Sequence, residues 1–158
     1  MKRFIAVLAL SAGLVSSTLP ACADSLKFVS DSHQNVGGED VYPYNFSING
    51  ASQLTPLMCL NIDRTITFNE IWDVTVSGVP MDASQSSTNY RAAAWIYSQV
   101  GNYSNADLQY AAWDIFDPTD VNGQTGFDAT AKSLASTGLT MAMDESLIDS
   151  GFFAGFSL

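Results

Sequence analysis

Cys59 and Gln109 form the most reactive pairing in this sequence. The cysteine stands in Leu57-Met58-Cys59-Leu60, the glutamine in Leu108-Gln109-Tyr110-Ala111-Ala112-Trp113. A thiol held against a glutamine carboxamide can attack its carbonyl carbon and expel ammonia, leaving an internal thioester. Rigid elements must hold both partners, because proximity is what makes an amide attackable by a thiol. The product also needs a shield, since an exposed thioester hydrolyses. Trp113 lies four residues after Gln109, on the same helical face, where it can cover the bond.

Each residue also has a plainer reading. Cys59 alone reads as a buried, inert thiol, and Gln109 alone as a surface glutamine on a good helix. Trp95 and Trp113 read first as core residues packing a helical hairpin. The joint pattern, in an exported chain, is what points to a thioester. Other chemistry is thinner. Asp114, Asp117, Asp120, Asn122 and Asp128 supply oxygen ligands of the kind calcium takes, but Gly123 comes one place too early for an EF-hand. They read better as a solvated acidic loop. His33, in a polar stretch, is a weak general-base candidate and otherwise surface. No Gly-x-Ser-x-Gly, phosphate-binding loop or metalloprotease helix motif occurs. Asn45-Phe46-Ser47 and Asn102-Tyr103-Ser104 fit the glycosylation acceptor pattern.

The elements that must position the pair follow from periodicity. Tyr42, Tyr44, Phe46 and Ile48 alternate with smaller or polar residues, a strand ending at the Asn49-Gly50 turn. Leu57 to Asp63 is the next strand, with Met58, Leu60 and Ile62 on one face and Leu57, Cys59, Asn61 and Asp63 on the other. A third runs from about Ile66 to Val76, interrupted near Asn69-Glu70. The period then becomes helical. Ser87 or Thr88 caps a helix over 89–100, and Ser104, with Asp107 three residues on, caps a second that Pro118 stops. Alanines in Ala93-Ala94-Trp95 and Ala111-Ala112-Trp113 allow the two helices to approach closely. A third helix is expected over 127–139, and one or two strands over 146–158.

The first 23 residues read as a secretory signal. Lys2 and Arg3 precede a short apolar run, Phe4 to Val15, and Ala21-Cys22-Ala23 is a small-x-small cleavage site. Leu19-Pro20-Ala21-Cys22 offers lipoprotein processing as the alternative. The whole chain has 158 residues and a net charge of −10; cleavage before Asp24 leaves four cations against 16 acids, a net charge of −12. That balance argues against nucleic-acid partners and against anionic membrane surfaces. With 47% hydrophobic and 14% charged residues, wholesale disorder is excluded. Removing the leader removes Cys22, so Cys59 remains unpaired in an exported protein.

Cys59 after apolar Met58, followed by Gln109-Tyr110-Ala111-Ala112-Trp113, resembles the thioester domains of bacterial surface adhesins. Those carry a Thr-Gln-x-Ala-x-Trp helix motif; Leu108 stands here in place of the threonine. The export signal with the Gln-x-Ala-x-Trp-Asp-x-Phe-Asp stretch is also similar to exported proteins of PEP-CTERM-bearing bacteria. The Pro-Glu-Pro signal, apolar span and basic cluster of that class are not in this sequence. The adhesin resemblance implies covalent capture. Gln109 would be the acyl donor, Cys59 the leaving thiolate, and a nucleophile on a surface protein or polysaccharide the acceptor.

The expectation is a signal peptide over 1–23 and a single α+β domain over 24–158, read as C-terminally incomplete. Its architecture is a mostly antiparallel sheet or barrel with an inserted helical hairpin. The expected function is secreted or cell-surface covalent attachment through Cys59 and Gln109, shielded by Trp113. It would be a single-use acyl transfer rather than an enzyme, with no cofactor and no membrane insertion after cleavage. The alternatives are a non-covalent structural or matrix protein of the PEP-CTERM class and a calcium-assisted carbohydrate-binding module.

Overall fold

A computed structural model describes residues 7–10 and 23–158. Its strands are β1 (Val7–Leu10), β2 (Asp24–Ser30), β3 (Asn35–Val36), β4 (Glu39–Asp40), β5 (Tyr44–Ile48), β6 (Thr55–Cys59), β7 (Ile71–Val74) and β8 (Phe156–Ser157). Six of them make one open sheet in the order β7-β2-β5-β6-β1-β8, every neighbouring pair antiparallel. The class is α+β with an antiparallel sheet, and the barrel alternative is set aside. β1 lies inside the stretch read as a leader; here Val7 pairs with Cys59 and Leu10 with Phe156. Residues 1–6 and 11–22, which carry Lys2, Arg3 and the cleavage and lipid-attachment readings, lie outside the described residues.

Helices cover one face of the sheet. α1 (Gln85–Ser98) starts earlier than its periodicity predicts, because Ser84 accepts the Ser87 backbone N–H as N-cap. α2 (Asn105–Phe116) is capped by Ser104, as the spacing predicts. α3 (Pro118–Val121) takes Pro118 in its first turn, and Asp128 caps α4 (Ala129–Met141). Ala92, Ala93, Ala94, Ala111 and Ala112 are fully buried, which brings α1 and α2 into close contact. α4 packs across both, so the expected hairpin is two-thirds of a three-helix layer. Gly138 permits this, since a Cβ there would lie 3.2 Å from Ile96. Arg91 is buried in the same layer and donates to the Ala142, Pro80 and Asp82 carbonyls, tying α1 to the end of α4 and to the preceding loop.

The two faces of β6 diverge as its alternation requires. Met58 and Leu60 join the core under the helices, with Ile96, Leu108 and Phe153. Leu57 joins Leu26, Phe28, Tyr44 and Phe46 on the other face, with Cys59 packed at its margin. Covering that second face is the segment after β6. The expected long strand over 66–76 shrinks to β7, because Asn69 adopts a positive φ of 68° and Glu70 N–H bonds back to Thr67 in a turn. The chain therefore folds over the sheet, stacking Phe68 on Phe28 with ring centroids 4.9 Å apart.

The C-terminal stretch also departs from expectation. Residues 146–158 carry α5 (Glu145–Asp149) and a 3-10 turn (Phe152–Gly155), and only Phe156–Ser157 is strand. Asp144 caps α5 by accepting from Ser146, and Gly151, at φ 74°, reverses the chain. Among the described residues, no helix is long and apolar enough to cross a membrane.

Candidate functional site

Cys59 ends β6, and Gln109 sits in the second turn of α2. The two elements meet there: Gln109, with no exposed surface, donates from Nε2 to the Cys59 main-chain carbonyl at 2.5 Å. Trp113, one turn on, is 2% exposed. Its indole N–H lies towards the Cys59 sulfur, close enough to favour the thiolate, yet without a hydrogen bond of normal geometry. The structure thus brings Cys59, Gln109 and Trp113 together where β6 meets α2.

The sulfur opens on a cavity of about 160 Å³. Its walls are the β3–β4 hairpin with Glu39 and Asp40, Tyr44 from β5, Trp113 from α2, and Asn61 and Arg64 from the covering segment. The hairpin is held against α2 by Tyr110, whose hydroxyl donates to the Val36 carbonyl at 2.8 Å. Gly37 allows this approach, since a Cβ there would stand 2.8 Å from that hydroxyl and its φ is +69°. Tyr44 in turn donates to the Asp40 carbonyl, and burial above all raises its phenol well beyond the usual range.

Burial is also the main influence on the Cys59 thiol, raising its pKa above the ordinary value. A backbone contact with Asn61, the Trp113 indole and the Arg64 guanidinium pull it back down, and Asp117 pushes it up. The thiol itself donates to the Asn61 carbonyl at 3.2 Å. Asp117 has a raised pKa, chiefly from burial, against a backbone hydrogen bond from Ile62 that lowers it.

Among the described residues, four buried side-chain polar atoms have no hydrogen-bond partner: Arg64 Nε, Gln109 Oε1, Trp113 Nε1 and Asp117 Oδ2. Their residues are the very ones that bond or electrostatically influence Cys59. A buried polar group left without any partner costs roughly 1–3 kcal/mol of desolvation.

Two sequence candidates lie apart. His33 is largely exposed, paired with Asp31 at 2.8 Å, and lines neither cavity that Cys59 touches. Among the described residues no three His, Cys, Asp or Glu side chains gather as a metal site, and Asp128 is engaged in capping α4. Arg64 is not singled out in the sequence, and Asp117 reads there only as a loop carboxylate of the kind calcium takes; both lie near enough to influence the Cys59 thiol. The place of Asp117 has a visible signal, because Gln109 and Trp113 stand four residues apart on α2 and Asp117 follows four further on, as the C-cap. Arg64 has none, since it falls between the two stretches whose alternation reads as strand. No family model, curated protein or solved structure matches the chain.

Proposed function

We propose that this chain is an exported, cell-surface or secreted domain that forms an internal thioester between Cys59 and Gln109 and spends it once on a partner nucleophile. In the first step the Cys59 sulfur attacks the Gln109 Cδ. The S–C bond forms, the C–N bond breaks, and ammonia leaves carrying the thiol proton. In the second, a partner amine attacks the same carbon, the S–C bond breaks, and the proton the amine loses neutralises the departing Cys59 thiolate. The product is an amide between the Gln109 side chain and the partner.

The observation that carries this reading is the clustering of four orphaned polar atoms around a thiol whose neighbour is a fully buried glutamine. Most buried side-chain polar atoms find a partner, so an unpartnered Gln109 Oε1 in the neighbourhood of a thiol supports this reading. Glu39 and Asp40 at the cavity wall favour a cationic amine over an anionic nucleophile. Trp113 supplies the shield. One observation favours the second reading, a non-covalent structural protein with an idle cysteine: burial raises the thiol pKa, which slows its attack.

Intact mass of the purified protein separates the two. The covalent reading expects a deficit of one ammonia, which methylamine converts to a stable adduct and Cys59→Ala abolishes. Full mass together with a titratable thiol in freshly prepared protein would support the idle cysteine instead.

A further inference from the structure

Another cavity, which Cys59 does not line, lies between α1, the α1–α2 turn and α4. It measures about 290 Å³, near the lower end of ligand clefts, which run from ~300 Å³ upward. Trp95 from α1 and Tyr103 from the turn form one side, and Thr130, Ser133, Leu134 and Thr137 from α4 the other. Trp95 was expected in the core, but it is only partly buried and contributes to this wall.

The composition of the groove selects its ligand. Tyr103 is 44% exposed, yet its backbone is fixed by a bridge to Val100 across Gly101, whose φ of 90° closes the turn. An exposed aromatic on a rigid turn is a stacking surface that loses little entropy on binding. Thr130, Ser133 and Thr137 recur at one helical face, all exposed. Their hydroxyls make no hydrogen bond within the described residues, whereas Thr140 further along bonds back to the Ser136 carbonyl. No charged side chain lines the groove; Lys132, on the same helix, is placed over the Phe127 ring, 5.1 Å from its centroid.

We propose that this groove binds a neutral glycan. A pyranose has an apolar C–H face that suits Tyr103 and Trp95, and hydroxyls that both donate to and accept from the Thr130, Ser133 and Thr137 row. An anionic sugar would meet no cation in the groove and a chain of net charge −10. A proline-rich peptide could stack on the aromatics but offers only carbonyl acceptors, leaving half the hydroxyl capacity unused. The groove is independent of the Cys59 chemistry, because none of its lining residues lines the cavity at that thiol.

Tryptophan fluorescence of the full chain carrying Cys59→Ala, titrated separately with cellohexaose, maltohexaose and mannohexaose, tests this without any contribution from covalent capture. Saturable binding of at least one hexaose is expected. Tyr103→Ala should weaken it about tenfold and Ser133→Ala by a smaller factor, with the unfolding temperature unchanged for both. No response to any of the three, affinity that survives Tyr103→Ala, or binding confined to polygalacturonate or to decaproline would overturn the assignment.

Discussion

Gln109 on α2 donates its carboxamide to the main-chain carbonyl of Cys59 on β6, 2.5 Å away and 50 positions distant in sequence. This bond joins the helical layer to the sheet at the strand end that carries the Cys59 thiol. It also anchors the carboxamide by its nitrogen and leaves Oε1 buried without a partner. A side chain held in this way is fixed against the Cys59 main chain, with one buried acceptor left uncompensated.

Gln109→Glu tests that arrangement through stability. The substitution keeps the volume but replaces the donor with a carboxylate oxygen facing the Cys59 carbonyl. Burial raises the folded-state pKa of the introduced carboxyl above its unfolded value of about 4.3. The folded state then binds the proton more tightly, so the variant is destabilised at neutral pH, by about 3 kcal/mol, and recovers as pH falls through the folded pKa. Urea unfolding at pH 7 and pH 5 reads this directly. An equal deficit at both values would mean that the carboxamide nitrogen is not where the bond places it.

Trp113→Phe separates the shield from the indole N–H. The ring still fills the buried space, but the group that favours the Cys59 thiolate is gone. In a Gln109→Ala background, where the thiol cannot be consumed, the pH of half-maximal iodoacetamide alkylation should move up. A profile unchanged from the background would leave Trp113 as packing alone.

Arg64 and Asp117 act on the same thiol with opposite sign, the first lowering its pKa and the second raising it. In the same background, Arg64→Gln is therefore expected to shift the alkylation profile to higher pH and Asp117→Asn to lower pH. Shifts in the same direction would show that burial changes, not charges, dominate.

These residues differ in how visible they are before the chain is folded. Cys59, Gln109 and Trp113 are legible because strand alternation and helical spacing are local, and the alanines around Gln109 announce a close helix contact. The two faces of β6 and the cap of α2 are legible for the same reason. The start of α1 is not, since Ser87 and Thr88 read as caps while Ser84 takes that role by accepting from the Ser87 N–H. The apolar run over 146–158 imitates strand, and the local turn chemistry of Asp144 and Gly151 overrides it. The segment over 61–70 alternates like strand at both its ends, but β6 stops at Cys59 and β7 starts only at Ile71. Its place over the second face of the sheet depends on distant partners such as Phe28, and Arg64 arrives at Cys59 only by that route.

The β3–β4 hairpin should act as a movable wall of the cavity. It carries Glu39 and Asp40 to the thiol, yet it is a two-residue pairing, too short to be stable alone. Tyr110, fully buried on α2, bonds to the Val36 carbonyl from below and stacks edge-on against Trp113, ring centroids 5.2 Å apart. Tyr110→Phe removes one hydroxyl and keeps the ring, so Trp113 retains its support while Val36 loses its partner. The expected stability loss is about 1 kcal/mol. In the Gln109→Ala background alkylation of Cys59 should accelerate at every pH, because access rather than ionisation has changed. A shift of the pH profile without a change in the limiting rate would mean that Tyr110 acts on the electrostatics of the thiol and that the hairpin does not gate it.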